Sequence, residues 1–283
     1  MPKEKVILFD TTLRDGQQTQ GVDFSVQDKV NIANALDNIG IDYIEGGWPG
    51  ANPTDTKFFE NKNNFSNAKF TAFGMTKRSG RSADNDPQLR SLIDAHSDSV
   101  CLVAKTWDFH VDLALGISLE ENVEAIKDSV LSVKASGKEA LIDCEHFFDG
   151  YKSNSEFSFK CIEAALESGA EWVVLCDTNG GTLPNEIFNI VSEITKKFPG
   201  DKIGIHCHND TENAVANSLA AIDAGARHLQ GTINGLGERC GNANLISIIP
   251  TLLLKKEYSE KYEISIDASK LSELKNLSRL VDD

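Results

Sequence analysis

Two histidines, His206 and His208, stand one residue apart in the stretch 202-KIGIHCHND-210, where an apolar run ends. If the run is a β-strand, successive side chains point to opposite faces, so the imidazoles share one face and Cys207 takes the other. Two buried neutral rings would each need polar partners, and two charged rings would repel each other. Neutral imidazole is a common metal ligand, and one divalent ion would satisfy both rings. The spacing therefore favours a metal site over two packed core histidines.

The elements that would position these side chains alternate regularly along the chain. Runs rich in β-formers occur at residues 5–10, 41–47, 69–74, 99–104, 139–145, 171–177, 202–208 and 228–234. Amphipathic helical patterns lie between them, most clearly at 25–40, 119–136, 155–168, 184–198 and 211–224. In the first of these helices, Ser25 is predicted to be the N-cap and Gly40 to end the helix.

Strand–helix alternation predicts right-handed βαβ units and a parallel sheet. Eight such units in about 250 residues is the count of a TIM (β/α)8 barrel. A doubly wound open sheet is the alternative fold. It is disfavoured because the first strand-to-helix turn, TTLRDGQQTQG, lacks the GxGxxG fingerprint.

Active sites of TIM barrels lie at the carboxyl ends of the strands, and four potential ligands fall there. Asp15 follows strand one, His206 and His208 close strand seven, and Asn242 lies in the loop after strand eight. A closed barrel brings these three strands together. Two imidazoles, a carboxylate and an amide would leave open positions on a six-coordinate ion, as a catalytic metal site requires. The set suits Mn²⁺, Mg²⁺, Zn²⁺ or Fe²⁺.

Other polar residues are expected at the same end of the barrel. A fixed cation such as Arg14 invites a carboxylate or a developing oxyanion. Glu145 fits either a general acid or base or a salt-bridge partner, and Gln18 fits ordinary loop polarity. Asn209 and Asp210 are candidates for orienting the imidazoles from outside.

Composition favours a cytoplasmic enzyme with small-molecule substrates. The formal charge is −15, so the basic footprint of a nucleic-acid-binding protein is absent and an anionic membrane would repel the chain. The longest apolar run, 246–254, is far shorter than the ~20 residues of a membrane span, and the N-terminus lacks the pattern of a signal peptide. The six cysteines are scattered without CxxC spacing, which is typical of reduced thiols, and Cys240 is predicted to pack within its loop.

Two longer stretches resemble the signatures of a known family. The segment 13-LRDGQQTQG-21 is similar to the LRDGxQxxG motif of the acetyl-CoA-dependent 2-oxoacid condensing enzymes. This family comprises 2-isopropylmalate, homocitrate and citramalate synthases, with hydroxymethylglutaryl-CoA lyases as relatives. Residues 206–245 carry the HxHND start, AxAN helix, AGA turn and GxGERxGN loop of the same family, in order. Together the motifs imply a resemblance over essentially the whole barrel.

The resemblance implies roles for particular residues. The implied ligands of a divalent metal (Mn, Zn or Mg) are Asp15, His206, His208 and Asn242. The implied contacts of the 2-oxoacid acceptor are Arg14, Gln18, Glu145 and Thr178. In such an enzyme the metal polarises the acceptor, and Arg14 stabilises the oxygen that becomes negative. Glu145 is implied to assist proton transfer, acetyl-CoA is the acyl donor, and hydrolysis of the thioester makes condensation irreversible.

Within the family, short segments point to one branch. The loop 235-GLGERCGN-242 is typical of the synthases, because the cysteine-bearing GLGGCP loop of the lyases is absent. The segments 43–60, 105–111 and 145–152 most resemble a branch of citramalate synthases, acyltransferases of isoleucine biosynthesis that use pyruvate. The alternative is 2-isopropylmalate synthase of leucine biosynthesis. Homocitrate synthase and hydroxymethylglutaryl-CoA-lyase-like activities are less favoured alternatives.

We expect residues 1–265 to form the catalytic barrel and residues 266–283 to begin a truncated linker or subdomain. In relatives, such subdomains reach across a homodimer and add a histidine and a tyrosine to the neighbouring site. The resemblance thus implies a homodimer, and a barrel that by itself has weak or no condensing activity.

Two further classes remain open. Amidohydrolases also carry HxH in a barrel, but on the first strand rather than the seventh. Their remaining ligands are not supplied by histidines 96, 110, 146 and 228. A non-catalytic binding barrel would bind metal without releasing thiol from acetyl-CoA.

Overall fold

Eight parallel strands form a closed barrel in the computed structural model, which describes residues 2–61 and 63–282. The barrel strands, in chain order, are Ile7–Asp10, Tyr43–Gly47, Lys69–Met75, Ser99–Lys105, Glu139–Glu145, Trp172–Asp177, Ile203–Cys207 and His228–Gly231. Each strand pairs with the next along the chain, and the first pairs with the eighth through Ile7 opposite His228. The predicted TIM barrel is confirmed.

Helices surround the barrel in the predicted alternation. The α-helices are Val26–Ile39, Pro53–Glu60, Pro87–Asp94, Asp108–His110, Leu119–Ala135, Phe147–Glu167, Pro184–Lys197, Ala214–Asp223, Leu245–Leu254, Lys256–Ser259 and Leu271–Asp282. Single 3-10 turns occupy Gly16–Gln18, Ala83–Asn85, Gly200–Lys202, Ile233–Gly235 and Ala268–Lys270, and a π-turn occupies Val111–Leu115. A separate pair of two-residue strands, Glu4–Lys5 and Tyr262–Glu263, lies outside the barrel.

The first helix has the predicted caps. The Ser25 hydroxyl accepts a hydrogen bond from the Asp28 amide at 3.2 Å, and the Ser25 amide donates to the Asp28 carboxylate at 2.9 Å. This reciprocal pair is a capping box. Gly40 ends the helix with φ of 97°, a left-handed conformation that glycine adopts without steric cost.

Several predicted boundaries differ from the structure, and two of the differences have a clear physical cause. The helix expected at 155–168 begins at Phe147, because the helix continues on both sides of a kink at Asn154. Asn154 has non-helical φ and ψ, and its side chain accepts from the Phe157 amide, so the second part has its own local cap. The eighth strand ends at Gly231 rather than at 234, because Thr232 pairs instead with the returning loop through Ala243 and Leu245.

The buried side chains form an outer and an inner core. The outer core fills the space between sheet and helices. The inner core fills the barrel with four aromatic and four smaller apolar side chains, namely Phe9, Tyr43, Phe73, Cys101, Leu141, Trp172, Val174 and Cys176. The interior formed by the described strands is therefore packed, and a cavity lies where these strands end.

The last described helix, Leu271–Asp282, packs on the barrel. Leu274, Leu277 and Val281 are buried against it, and Asn234 exchanges two hydrogen bonds with Ser278, at 2.9 and 2.7 Å. The described part of the predicted linker is thus helical and docked. Its continuation into a further subdomain stays a prediction. Within the described ranges, no helix is both long and apolar enough to cross a membrane.

One fully buried lysine ties the first helix to the loop that carries the site. Lys29 Nζ donates to the carbonyls of Leu13 and Gly46 at 2.7 and 3.0 Å and to Asp55 Oδ1 at 2.5 Å. Burial lowers the pKa of Lys29, while the Asp55 carboxylate opposes that shift. The charge is tolerated because each of its three protons has an acceptor.

Replacing this lysine by methionine is expected to destabilise the fold by about 3–5 kcal/mol, because Asp55 and two carbonyls would lose their buried donor. Urea unfolding of the metal-free protein measures the loss. Lys256→Met is the control, since Lys256 forms an exposed pair with Glu260 and should leave the unfolding midpoint unchanged. Equal midpoints for Lys29→Met and the wild type would contradict the assigned role.

Candidate active site

Asp15 and the two histidines converge at the carboxyl end of the barrel. Asp15 Oδ2 lies 3.3 Å from His206 Nε2 and 3.9 Å from His208 Nε2, and the two Nε2 atoms are 3.4 Å apart. All three side chains are buried. Cys207 points the other way, into the outer core, as strand alternation predicts. A carboxylate oxygen and two ring nitrogens therefore face one small volume.

Asn242 lies beside this group. Its backbone forms an isolated bridge with that of His208, and its side-chain nitrogen donates to the Leu236 carbonyl at 3.1 Å. Its Oδ1 is buried and has no hydrogen-bond partner in the described structure. The Asn242 side chain packs closely against Gly237. A Cβ atom at position 237 would collide with the side-chain amide nitrogen of Asn242. The loop after strand eight thus brings Asn242, whose amide oxygen lacks a partner, alongside the backbone of His208.

Electrostatics favour a charged Asp15 and an uncharged His208, the forms in which these two side chains can bind a metal. Burial alone would raise the pKa of Asp15, but Arg14 and His206 outweigh burial and lower the pKa below its usual value. Burial lowers the pKa of His208 to about 3, and the neighbouring His206 lowers it further. His208 is therefore uncharged at neutral pH, which leaves a ring nitrogen free to act as a ligand. For His206, burial lowers the pKa, but Asp15 outweighs burial and raises it overall.

Arg14 is held rigidly at the edge of the same volume. Its Nε donates to Glu45 Oε2 at 2.6 Å, one Nη lies 3.4 Å from Asp15 Oδ2, and its guanidinium sits 3.9 Å over the Phe73 ring. Glu45 also accepts from the Thr11 hydroxyl at 2.5 Å. Burial alone would lower the pKa of Arg14, but the carboxylates of Glu45 and Asp15 raise it overall. A permanent positive charge therefore faces the site.

Arg14, Asp15, His206 and His208 line one cavity of about 530 Å³, a size suited to a small-molecule ligand, whereas Asn242 is not among its lining residues. The other residues predicted to contact an acceptor also line it, namely Gln18, Glu145 and Thr178. The Glu145 carboxylate is paired with Lys105, and Thr178 Oγ1 accepts from the His146 amide at 2.8 Å. The apolar wall is formed by Trp48, Phe73, Met75 and Val103.

An arginine connects three of the loops around the cavity. Arg239 donates to both oxygens of Asp210, at 2.8 and 2.9 Å, and to the Thr178 carbonyl at 2.7 Å. A bidentate pair of this kind fixes geometry as well as charge. The loops after strands six, seven and eight are thereby held together next to the convergent ligands.

A family model described as HMGL-like matches residues 5–281 of the chain. The chain belongs to the HMGL-like family.

Relatives of this HMGL-like chain include an (R)-citramalate synthase of Aquifex aeolicus, 54% identical over 275 residues, covering 96% of the chain and 52% of that protein. A Geobacter sulfurreducens (R)-citramalate synthase is 52% identical, covering 98% of the chain and 52% of that protein. A 2-isopropylmalate synthase of Sulfolobus acidocaldarius is 35% identical, covering 88% of the chain and 62% of that protein. The chain spans about half the length of the citramalate synthases it matches.

A solved HMG-CoA lyase of Bacillus subtilis superposes with a TM-score of 0.83, covering 100% of the chain and 94% of that structure. The two sequences are 20% identical. At that identity, the likeness supports the HMGL-like barrel fold and nothing finer.

Two expectations about individual residues of this HMGL-like barrel were wrong. Cys240, expected to be packed, is exposed. Asn209 and Asp210 do not orient the ring of His206, whose Nδ1 lies 2.8 Å from Gln230 Oε1. Asn209 instead accepts from the Ala214 amide, and Asp210 pairs with Arg239. Asn209 and Asp210, which follow His208 in sequence, have their partners in the loops. Gln230, on the neighbouring strand, reaches the ring of His206 instead.

Several site residues were missed by the sequence reasoning. They are Glu45, Lys105, Asp143, Gln230 and Arg239. A signal existed for two of them, because Glu45 and Asp143 interrupt largely apolar strands that are buried in the barrel. A buried polar side chain within a strand requires a partner, and at the carboxyl end of a barrel this partner belongs to the site.

Among the residues that the structure describes, two other clusters have ligand-like side chains but fit an ion less well. One contains His110, Glu145 and His146, and its carboxylate is already paired with Lys105. The other contains Glu45, Cys101 and Asp143 and has no imidazole. The group of Asp15 and the two histidines remains the better candidate.

Proposed function

We propose that this barrel condenses acetyl-CoA with a 2-oxoacid, with pyruvate as the preferred acceptor, to give citramalate. The observation that carries the proposal is the convergence of Asp15, His206 and His208 with Arg14 in one cavity. Similarity to citramalate synthases at 54% and 52% identity supports the choice of acceptor, because the 2-isopropylmalate synthase relatives are more distant.

The residues fit a divalent metal, the cofactor implied by the family. The orphaned Oδ1 of Asn242 and the uncharged ring of His208 are buried groups that would gain a partner from an ion. Asp15, His206, His208 and Asn242 would hold it. When bound, it would supply Lewis-acid polarisation of the acceptor's keto group. The donor set of nitrogen and oxygen atoms suits Mn²⁺, Zn²⁺ or Mg²⁺.

Two side chains of the barrel would act on the reacting groups. Arg14 would stabilise the oxygen on which negative charge develops, since its guanidinium is fixed by Glu45 before substrate arrives. Glu145 would hold or move a proton, because its carboxylate lines the cavity while Lys105 keeps it in place. Gln18 and Thr178 would contact the acceptor from the cavity wall.

The acceptor preference is tested by CoA release from acetyl-CoA with pyruvate, 2-oxoisovalerate or 2-oxoglutarate, with and without chelator. We expect pyruvate to give the highest kcat/KM. An apolar pocket discriminates between acceptors that differ by one methylene by ~1–3 kcal/mol of transition-state free energy, or roughly 10–200-fold in kcat/KM. Preference for 2-oxoisovalerate would reject citramalate, and activity that chelator leaves unchanged would reject the metal.

The assay should use both the 283-residue chain and a chimera that joins it to the part of the Aquifex aeolicus relative outside the match. We expect the chain by itself to show weak or no turnover and the chimera to be active. Rapid turnover by the chain would contradict this expectation. Metal binding without thiol release in either protein would favour a non-catalytic binding barrel. Homodimer formation and a cytoplasmic location belong to the same proposal.

A further inference from the structure

Gln230 links the proposed metal site to the opposite side of the barrel. It lies on the eighth strand, directly paired with His206 of the seventh, and is fully buried. Its Oε1 lies 2.8 Å from His206 Nδ1, and its Nε2 donates to Asp143 Oδ1 at 3.0 Å. Asp143 belongs to the fifth strand and is also buried. The three side chains form a continuous hydrogen-bond chain across the barrel.

The orientation of the Gln230 amide has a consequence for His206. Because the NH₂ group is directed to the Asp143 carboxyl group, the carbonyl oxygen faces the ring. An amide oxygen can only accept a hydrogen bond, so His206 Nδ1 must carry the proton. The other ring nitrogen, Nε2, then faces Asp15 and His208 as the ligating atom.

The second histidine has no such support. His208 Nδ1 is buried and has no hydrogen-bond partner in the described structure. The ring of His206 is therefore the one whose orientation is fixed by side chains outside the ligand set.

We propose that Gln230, itself anchored by Asp143, is a positioning residue that sets the His206 ring and its ligating nitrogen for the metal. This inference rests on the metal site of the proposed function. An amide suits the position because it accepts from the imidazole and donates to Asp143 at once, which a carboxylate cannot do. Partners of this kind typically contribute 10–100-fold to metal affinity, because they orient the ring and raise its basicity.

The test measures Mn²⁺ affinity by titration calorimetry, together with the melting temperature of the metal-free protein. Gln230→Met keeps the length of the side chain but removes both hydrogen bonds, and we expect affinity to fall by roughly 10–100-fold. Thr71→Val is the matched control, since it removes a buried hydrogen bond to Ser99 elsewhere in the barrel. It should lower the melting temperature without changing Mn²⁺ affinity. Unchanged affinity in Gln230→Met would overturn the proposal.

Two further measurements decide the outcome if Gln230→Met does not fold. Gln230→Glu keeps an acceptor for His206 Nδ1 but cannot donate to Asp143, so Mn²⁺ affinity should fall by less than the upper end of that 10–100-fold range, and unchanged affinity would count against the anchoring role of Asp143. Long-range ¹H–¹⁵N spectra of the Zn²⁺-loaded wild type should show a protonated Nδ1 on His206, and a bare Nδ1 would refute it. If the wild type binds neither ion, the proposed metal site itself fails, which is a distinguishable result.

Discussion

A protein carrying His208→Ala is expected to lose measurable Mn²⁺ binding and, in the chimera, to lose CoA release. His208 would supply an uncharged ring nitrogen to the ion, since burial lowers its pKa to about 3. Removal of His208 should therefore lower Mn²⁺ affinity by more than the roughly 10–100-fold expected when a residue that only hydrogen-bonds to a ligand is removed. Calorimetry with Mn²⁺ and kcat with pyruvate measure the two effects.

The matched control is His96→Ala. His96 is an exposed histidine whose Nδ1 lies 3.2 Å from the Glu60 carbonyl at the protein surface. Its removal should leave both Mn²⁺ affinity and kcat unchanged. Retention of wild-type affinity by His208→Ala would exclude the proposed ligand set, whatever the activity of the chimera.

The second large effect is expected at Arg14. Arg14→Lys keeps a positive charge but loses the planar fork that lets Nε donate to Glu45 while an Nη faces Asp15 and the cavity. We expect kcat of the chimera to fall about 10²–10³-fold, which is the usual cost of removing one donor to a developing oxyanion. Mn²⁺ affinity should change far less, because Arg14 is not a ligand.

Arg90→Lys serves as the control for the change of side chain. Arg90 lies on the helix Pro87–Asp94 and makes an exposed pair with Asp94, so kcat should be unaffected. If Arg14→Lys instead raised KM for pyruvate and left kcat intact, Arg14 would bind the ground state rather than stabilise developing charge.

The barrel could be predicted from the sequence because its signals are local. Apolar runs and capping residues such as Ser25 and Gly40 determine where strands and helices begin and end. The end of the eighth strand was predicted wrongly because contacts distant in sequence decide it. The eighth strand ends early because Thr232 pairs with the loop that returns at Ala243, and no pattern within the strand shows this.

The converging side chains of the candidate site could also be predicted from the sequence. Alternation placed His206 and His208 on one face, and barrel closure brought Asp15 to them. The partners that hold these side chains were not predictable. Glu45 for Arg14, and Gln230 for His206, come from neighbouring strands, and only the register of pairing determines which side chains meet.

The sequence by itself determined the strand–helix order, the family and the residue types at the strand ends, because periodicity and motifs are properties of short segments. The tertiary structure decided which charges are paired, which rings are oriented and which polar atoms stay free. Asp143 lies 87 residues from Gln230 in the chain and 3.0 Å from it in space. Contacts of that kind depend on closure of the whole barrel, since strand tilt and stagger together set which inward-facing side chains share a layer.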